Sequence, residues 1–235
     1  MTDLVSIVLP IHNERDNLGP LLDELETALA GRPHEILAVD DGSTDDSLAV
    51  LGTLRVRHPE LRVLALEAHA GQSAATMAGC DAARGEIVVT LDADGQNDPR
   101  DIPALLERLS ATSGCVAVVG YRAARRDSAW KRFQSRIANA ARNRLTGDSV
   151  RDTGCALKAV RRDVLQALPR FDGMHRFLPT LIRLQGGLVL ETPVAHRPRR
   201  FGHSKYGMWN RALRGLRDAL GVRWLRRRRL SYTLR

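Results

Sequence analysis

The segment IVVTLDADGQ, residues 87–96, joins an apolar run of strand character to two aspartates. Asp92 and Asp94 directly follow the predicted strand 87–91, and alternation along an extended chain places their carboxylates on the same side. Two such carboxylates can share one hard cation, Mg2+ or Mn2+, and Gln96 and Asp98 add oxygen ligands nearby. Aspartate and glycine are also common where strands end, so the segment alone is equally consistent with a solvated turn.

The chain around this segment alternates strand-like and helix-like stretches. Runs rich in β-branched residues predict four more strands, at 5–11, 35–39, 62–66 and 116–120. Apolar residues recur at helical spacing between them. This order predicts an α/β fold with a mostly parallel, Rossmann-like central sheet and helices on both faces. Such sheets bind ligands beyond the carboxyl ends of their strands.

Polar residues follow the first two predicted strands, where that binding edge should lie. Pro10 lies near the end of the first strand, Asn13 and Glu14 come after it, and Asp41 comes after the second strand. A carboxylate in the position of Asp41 can accept hydrogen bonds from a ribose or from the edge of a nucleobase. Residues of these types also suit helix starts, so capping is the competing interpretation. Gln72 opens a predicted helix whose free amides could receive an anion.

Charge is distributed unevenly along the 235 residues. Residues 197–235 contain 13 Lys and Arg and one acid, Asp218, so this tail carries +12 while the rest of the chain carries −3. The tail should therefore meet an anionic partner. Nucleic acid is not expected, because aromatic residues make up only 4% of the chain and no recognised nucleic-acid-binding module is present.

Cysteine usage and hydropathy predict a cytoplasmic location. The three cysteines match no zinc or disulfide framework, which favours a reducing compartment. The amino terminus lacks the features of a secretion signal. No stretch approaches the roughly 20 apolar residues that a membrane-spanning helix requires.

Several motifs together give the chain a specific resemblance. VSIVLPIHNE, AVDDGSTDDS and AGQSAATMAGCDAARGEIVVTLDADGQNDP follow one another in the order of the GT-A fold, in the large second family of glycosyltransferases. With GYR at 120–122, DTGCALKAV at 152–160 and FGHSKY at 201–206, the chain looks more narrowly like the dolichyl-phosphate mannosyltransferase group and its bacterial polyprenyl-phosphate relatives. The resemblance covers roughly residues 5–210.

This resemblance implies an inverting transfer of a hexose from a GDP-mannose or UDP-glucose type of donor to a polyprenyl phosphate. The residues that would hold the nucleotide-sugar donor are Pro10, Asn13, Glu14, Asp41 and Gln72. Those that would hold Mg2+ or Mn2+ against its diphosphate are Asp92, Asp94 and Gln96. Those that would line the path of the acceptor phosphate are Arg122, Arg132, Ser135, Arg200 and Lys205.

A phosphate acceptor suits the residue types present. It is already anionic at neutral pH and needs no general base, but it must approach the donor diphosphate, and Arg and Lys lower that repulsion. Many alcohol-acceptor members of the family carry a Glu-Asp pair and a Gln-x-x-Arg-Trp sequence, which this chain lacks. The alternatives are transfer to a hydroxyl of a glycan or lipid, with Asp152 as base, and a non-catalytic nucleotide-sugar-binding protein of the membrane surface.

The carboxyl-terminal residues predict a basic amphipathic helix. Apolar residues recur every three or four positions, at Trp209, Leu213, Leu216 and Leu220. Such a helix suits an anionic membrane surface, with packing on its own domain as the alternative. We therefore expect a catalytic domain at 1–200 and a basic acceptor loop with an interfacial tail at 201–235. The protein would be peripheral on the cytoplasmic face of a membrane, where an integral-membrane partner is plausible.

Overall fold

The computed structural model describes residues 4–123, 140, 142–201 and 208–228, with the side chains of the last segment from residue 215 onward. Its strands are β1 Val5–Ile11, β2 His34–Asp40, β3 Leu61–Ala65, β4 Ile87–Thr90, β5 Cys115–Arg122, β6 Lys158–Arg161 and β7 Leu188–Val194. Its helices are α1 Arg15–Ala28, α2 Ser47–Leu54, α3 Gln72–Ala82, α4 Ile102–Ala111, α5 Arg162–Gln166, α6 Leu178–Leu184 and α7 Met208–Arg228. Short 3-10 turns occupy Pro99–Asp101 and Met174–Arg176.

The strands form a single mixed sheet in the order β3-β2-β1-β4-β6-β5-β7. The pairs β1 with β2, β1 with β4, β2 with β3, and β5 with β7 are parallel, whereas β6 is antiparallel to both β4 and β5. The predicted mostly parallel sheet is confirmed. The sequence did not predict β6, which lies in the middle of the sheet.

Helices cover both faces of the sheet, as predicted. On one face, residues of α1, α2 and α4 such as Leu22, Leu51 and Leu105 share a core cluster with residues of β1. On the other face, residues of α3, α5, α6 and α7 share a second core cluster with Val8 of the same strand. Successive residues of β1 thus point into opposite core clusters, and each fully buried leucine in them contributes about 1.5–3 kcal/mol to stability.

Helix α3 lies unusually close to the sheet at Gly79. A Cβ atom on Gly79 would come within 2.4 Å of a methyl carbon of Val8. Glycine therefore permits an approach that a larger residue would block, and this approach fixes where the amino end of α3 meets the carboxyl edge of the sheet.

Helix α7 confirms the predicted carboxyl-terminal helix, and part of it packs on its own domain. Ala219 and Val222 are buried in the core cluster of α3 and α6, so this part packs on its own domain. Leu216, Leu220 and Trp224 are half exposed, at 51, 50 and 60%. Within the described residues, no helix combines the length and apolar character needed to cross a membrane. The basic amphipathic pattern of residues 130–145 also predicts a helix; residues 142–146 are helical, and 130–139 and 141 lie outside the described residues.

Candidate active site

The loops that follow β1, β2 and β4 meet at the carboxyl edge of the sheet. The loop after β1 is pinned to the loop after β2 through Asn13, whose backbone N–H donates to Ser43 Oγ at 2.9 Å and whose Oδ1 accepts from Thr44 N at 2.7 Å. Asn13 has a φ of 54°, a left-handed conformation that asparagine tolerates better than most residues. Glu14 joins the same contact, since its N–H donates to Ser47 Oγ.

Asp41 points into the protein. Its side chain is buried, and its oxygens accept hydrogen bonds from the backbone N–H groups of Ala70 and Gly71 at 2.7 and 3.0 Å. The neighbouring Gly42 has a φ of +63° and passes so close to the backbone of His69 that a Cβ would lie 2.6 Å from its nitrogen. Asp41 therefore fixes the loop that leads into α3, and through that loop it positions Gln72.

Asp92 and Asp94 lie together beyond β4. Gln72 Nε2 donates a hydrogen bond to Asp92 Oδ1 at 2.7 Å. Asp94 is buried and accepts from the Gln96 backbone N–H at 3.1 Å and from Arg199 Nη2 at 2.8 Å. Burial, followed by the negative charge of Asp94, raises the pKa of Asp92 to about 6. Asp94 is paired with Arg199, whereas Asp92 accepts an amide hydrogen bond from Gln72, so Asp92 is the carboxylate whose charge is open to a divalent cation.

A cavity of about 150 Å3 opens directly beside Asp92. Its lining includes Pro10, Gln72 and Asp92, which the sequence predicted, and Lys158, His175 and Arg176, which it did not. Lys158 is buried on β6, and its Nζ donates to the Cys155 carbonyl at 2.5 Å. Burial lowers the pKa of Lys158, while Asp92 is among the charges that oppose this shift.

His175 forms the other wall of the cavity as a neutral imidazole. Its Nδ1 lies 2.7 Å from Ser73 Oγ, which also accepts from the Gly173 backbone N–H at 2.9 Å. Burial, with smaller effects from Arg176 and Lys158, lowers the pKa of His175 to about 3. A neutral histidine held by hydrogen bonds can position a sugar hydroxyl or a phosphate without titrating near neutral pH.

The residues predicted to line the path of the acceptor phosphate have different ion-pair partners. Arg122 makes a two-pronged ion pair with Asp152, with distances of 2.6 and 2.8 Å. Arg200 lies 3.1 Å from Glu24 of α1, whereas its neighbour Arg199 reaches Asp94 and Glu14. Three further predicted residues, Arg132, Ser135 and Lys205, lie outside the described residues. Arg199 was not among the residues predicted from the sequence. It is adjacent to Arg200, and adjacent side chains of an extended segment point to opposite sides, so the two arginines can reach different partners.

An aromatic pair stands above Asp41. The rings of His12 and His69 have centroids 4.2 Å apart, and His12 Nδ1 lies 2.9 Å from the Asp41 carbonyl oxygen. His12 belongs to a loop predicted to hold a nucleoside, whereas His69 belongs to the loop that leads into α3 and Gln72. Their spacing from the strand ends, immediately after β1 and shortly after β3, is the signal that could have identified them.

Solved structures of sugar transferases share this fold. Glucosyl-3-phosphoglycerate synthase from Mycobacterium tuberculosis, solved with UDP, matches with a TM-score of 0.72 and 21% identity over 94% of this chain and 80% of that one. A mannosyltransferase from Pyrobaculum calidifontis, solved with GDP-Man and Mn2+, matches with a TM-score of 0.65 and 19% identity over 96% and 70%. The fold, with paired aspartates at its carboxyl edge, defines a protein of the GT-A class.

The sequence comparison then identifies the family. Residues 6–168 match the family model described as Glycosyl transferase family 2, and the chain belongs to that family. The predicted membership and enzyme class are thereby confirmed.

Curated relatives share more of the sequence. The chain is 42% identical over 207 residues, 87% of its length, to undecaprenyl-phosphate 4-deoxy-4-formamido-L-arabinose transferase of Pseudomonas aeruginosa. It is 36% identical over 229 residues, 95% of its length, to dodecaprenyl-phosphate galacturonate synthase of Rhizobium johnstonii. The chain spans 60% of the first relative and 67% of the second.

Proposed function

We propose that this chain transfers a sugar from a nucleoside diphosphate sugar to a polyprenyl phosphate, with inversion at the anomeric carbon. The observation that carries the proposal is the pair Asp92 and Asp94 at the carboxyl edge, beside a cavity that is lined by the buried Lys158. The names of the curated relatives, both of which specify a polyprenyl phosphate, support the acceptor class.

Asp92 and Asp94 fit a divalent cation of the Mg2+ or Mn2+ type. Their donor set is made of carboxylate oxygens, which these hard cations prefer, and the pKa of Asp92 is raised by burial and then by the nearby charge of Asp94. A bound cation would offset the negative charge that develops on the departing diphosphate. Gln72 would hold Asp92 in a fixed orientation through their 2.7 Å hydrogen bond.

The protein's own cations would allow two anions to meet at this edge. A lipid phosphate oxygen attacks the anomeric carbon as the bond from that carbon to the diphosphate oxygen breaks, so the electron pair leaves with the nucleoside diphosphate. Lys158 below the site and Arg199 beside Asp94 reduce the repulsion between the two phosphate groups. No proton has to be removed from the acceptor, because its phosphate is ionised at neutral pH.

Asp152 is poorly arranged for the alternative reaction at a hydroxyl. Both of its carboxylate oxygens accept hydrogen bonds from Arg122, and one also accepts from the Gly154 backbone N–H. A general base needs an oxygen directed at the proton that it removes. The geometry of Asp152 therefore favours a structural role and a phosphate acceptor.

The direct test is product formation by the full chain. The protein is incubated with radiolabelled UDP- and GDP-sugars, Mg2+ or Mn2+, and undecaprenyl phosphate, and the lipid fraction is separated by chromatography. We expect a labelled lipid-linked monosaccharide with one donor, and its loss in Asp92→Asn and on chelation of the metal. Asp81→Asn, which removes a carboxylate from a surface ion pair with Arg170, is the matched control and should keep activity.

Labelled sugar appearing on a free hydroxyl acceptor, with none on the lipid phosphate, would contradict the acceptor class. Donor binding without transfer to any acceptor would instead favour the non-catalytic alternative. Substitution of Asp92 with no loss of product would remove the observation on which the proposal depends.

We further propose that α7 lies on an anionic membrane, on the cytoplasmic side. Its half-exposed Leu216, Leu220 and Trp224 are spaced four residues apart and so share one side of the helix. Exposed arginines, including Arg217, Arg227 and Arg228, accompany them. Each Lys or Arg near an anionic leaflet contributes about 1 kcal/mol, and tryptophan suits the headgroup boundary.

Vesicle flotation tests this attachment. Protein in which Leu216, Leu220 and Trp224 are all replaced by serine should float poorly with phosphatidylglycerol vesicles, whereas the unaltered chain should float well. Leu48→Ser/Val56→Ser changes two exposed apolar residues elsewhere and is the matched control. Equal flotation of all three proteins would show that α7 does not hold the membrane.

A further inference from the structure

A second cluster of potential ligands lies at the amino edge of the sheet, opposite the candidate active site. His58 stands in the loop between α2 and β3, three residues before the first residue of β3. Asp23 and Glu26 belong to α1, whose spacing of three residues places both side chains on the side of the helix that faces this loop. The cluster therefore joins α1 to the loop that precedes β3.

His58 is the unusual member of this cluster. Its side chain is 1% exposed, yet neither ring nitrogen makes a hydrogen bond. Most buried polar atoms are paired, because an unpaired buried donor or acceptor costs roughly 1–3 kcal/mol. The ring points into a group of carboxylates: Nε2 lies 3.4 Å from Asp23 Oδ1, Nδ1 lies 3.3 Å from Glu26 Oε2, and Nδ1 lies 3.9 Å from Glu60 Oε1.

We propose that His58, Asp23 and Glu26 bind a divalent transition-metal cation of the zinc type. One potential ligand atom from each residue lies within 4.8 Å of the others. Two ligands on one tetrahedral zinc, with bonds of about 2.0–2.1 Å, are separated by roughly 3.3–3.4 Å, which is the spacing between the His58 nitrogens and the two carboxylates. Either nitrogen therefore already has one carboxylate at ligand spacing.

The surroundings suit this assignment. Metal-binding histidines usually donate their second ring N–H to a carboxylate, and Glu60 is close to Nδ1 with its Oε1 buried and without a hydrogen bond. The carboxylates of Asp23 and Glu26 are 53 and 54% exposed, so they can move to complete the coordination. Arg57, 3.3 Å from Asp23, is the competing cation.

The donor set also separates this cluster from the candidate active site. An imidazole with carboxylates suits zinc and related transition metals, whereas the all-oxygen pair of Asp92 and Asp94 suits Mg2+ or Mn2+. Occupation of the cluster would tie α1 to the β3 loop and stabilise the folded chain through ligand binding. The inference is independent of the proposed sugar transfer.

The test measures zinc directly. The full chain carrying Asp92→Asn and Asp94→Asn, which removes the active-site carboxylates, is dialysed against ZnCl2 and analysed for bound metal and for its unfolding midpoint. We expect about one equivalent of zinc and a raised midpoint, with no comparable rise from MgCl2. Adding His58→Gln should lower zinc affinity at least tenfold, and Co2+ should give the absorption of a tetrahedral site only while His58 is present.

A second variant covers the case in which His58→Gln does not fold. Asp23→Asn/Glu26→Gln alters two exposed side chains and should also abolish tight zinc binding. The matched control, Asp16→Asn/Glu67→Gln, removes the same charge from the surface and should keep it. Absence of bound zinc, or zinc binding that persists equally in the His58 and Asp23/Glu26 variants, overturns the site.

Discussion

Two aspartates of one loop, Asp92 and Asp98, have opposite electrostatic surroundings. Burial acts to raise the pKa of Asp98, but hydrogen bonds from Arg100 and Arg197 hold that pKa well below the usual range. Asp92 accepts an amide hydrogen bond from Gln72 and stands beside Asp94, and its pKa rises to about 6. The loop thus contains one carboxylate that is neutralised by the protein and one that is left for an external cation.

This contrast separates structural from functional carboxylates. Asp98 forms an ion pair with Arg197, so it ties its loop to the chain after β7. Arg197 also pairs with Glu24, which extends this contact to α1. Asp92 stabilises nothing comparable, and its charge costs free energy in the folded protein. A strained or uncompensated group that persists at a ligand-binding edge is typical of a functional site.

The largest effect is expected for Asp92→Asn. Loss of a metal ligand should lower kcat/KM at least about a thousandfold, since a bound cation typically supplies several kcal/mol to a transition state of this kind. The unfolding midpoint in metal-free buffer should stay the same or rise, because the substitution removes repulsion from Asp94. Initial-rate kinetics and calorimetry on the same preparation measure both quantities. A large fall in stability with ordinary activity would reverse the assignment of roles.

Asp98→Asn should show the opposite pattern. Removing the carboxylate between Arg100 and Arg197 should lower the free energy of unfolding by roughly 1–3 kcal/mol. The exposed pair Asp81 and Arg170 provides the comparison, where Asp81→Asn should cost at most about 1 kcal/mol. Urea unfolding of the three proteins gives these values. Equal stability of both variants would show that the Asp98 contacts contribute no more than a surface pair.

The sequence predicted the part of this contrast that depends on order along the chain. The strand 87–91 and its two aspartates follow from alternation and from the position at the end of an apolar run. The sequence did not predict β6, because this strand has only four residues and a charged residue at each end, Lys158 and Arg161. Nothing in the sequence pattern indicates that such a strand lies in the interior of the sheet. The burial of Lys158 can be explained only by its position near Asp92, which is distant in sequence.

The sequence also did not indicate which charged side chains form ion pairs. Arg199 and Arg200 are adjacent and chemically identical, yet one reaches Asp94 and the other reaches Glu24. In α7, the small residues Ala219 and Val222 meet the core while larger Leu216 and Leu220 remain half exposed, so side-chain size did not indicate the buried face. Each outcome depends on which partner the fold brings close.

The two aspartates should also respond differently to acid. A raised pKa means that folded Asp92 holds a proton between pH 4 and 6 more readily than the unfolded chain, so its contribution to stability is lost as pH rises through about 6. Asp98 has a lowered pKa, so its contribution is present above about pH 4 and is lost as pH falls below that value.

Because Mg2+ competes with the proton on Asp92, its apparent affinity should fall up to about tenfold for each pH unit below 6. Thermal shifts with Mg2+ titrated at pH 5, 6 and 7.5 measure the effect. Asp92→Asn should lose this pH dependence, whereas Asp98→Asn should keep it at pH values where it remains folded. A Mg2+ affinity independent of pH in the unaltered chain would exclude Asp92 as the titrating ligand.

The smallest effect on chemistry is expected for Asp152→Asn. Asp152 resembles Asp98 in being held by an arginine, and an asparagine keeps one acceptor oxygen for Arg122. Because a phosphate acceptor needs no general base, kcat should fall less than about tenfold, and the dependence of kcat on pH should be unchanged. A fall of several orders of magnitude, with normal donor affinity, would instead place Asp152 among the reacting groups and make a hydroxyl the acceptor. This variant therefore tests whether Asp152, which is neutralised by Arg122, has been correctly separated from Asp92, which accepts an amide hydrogen bond from Gln72.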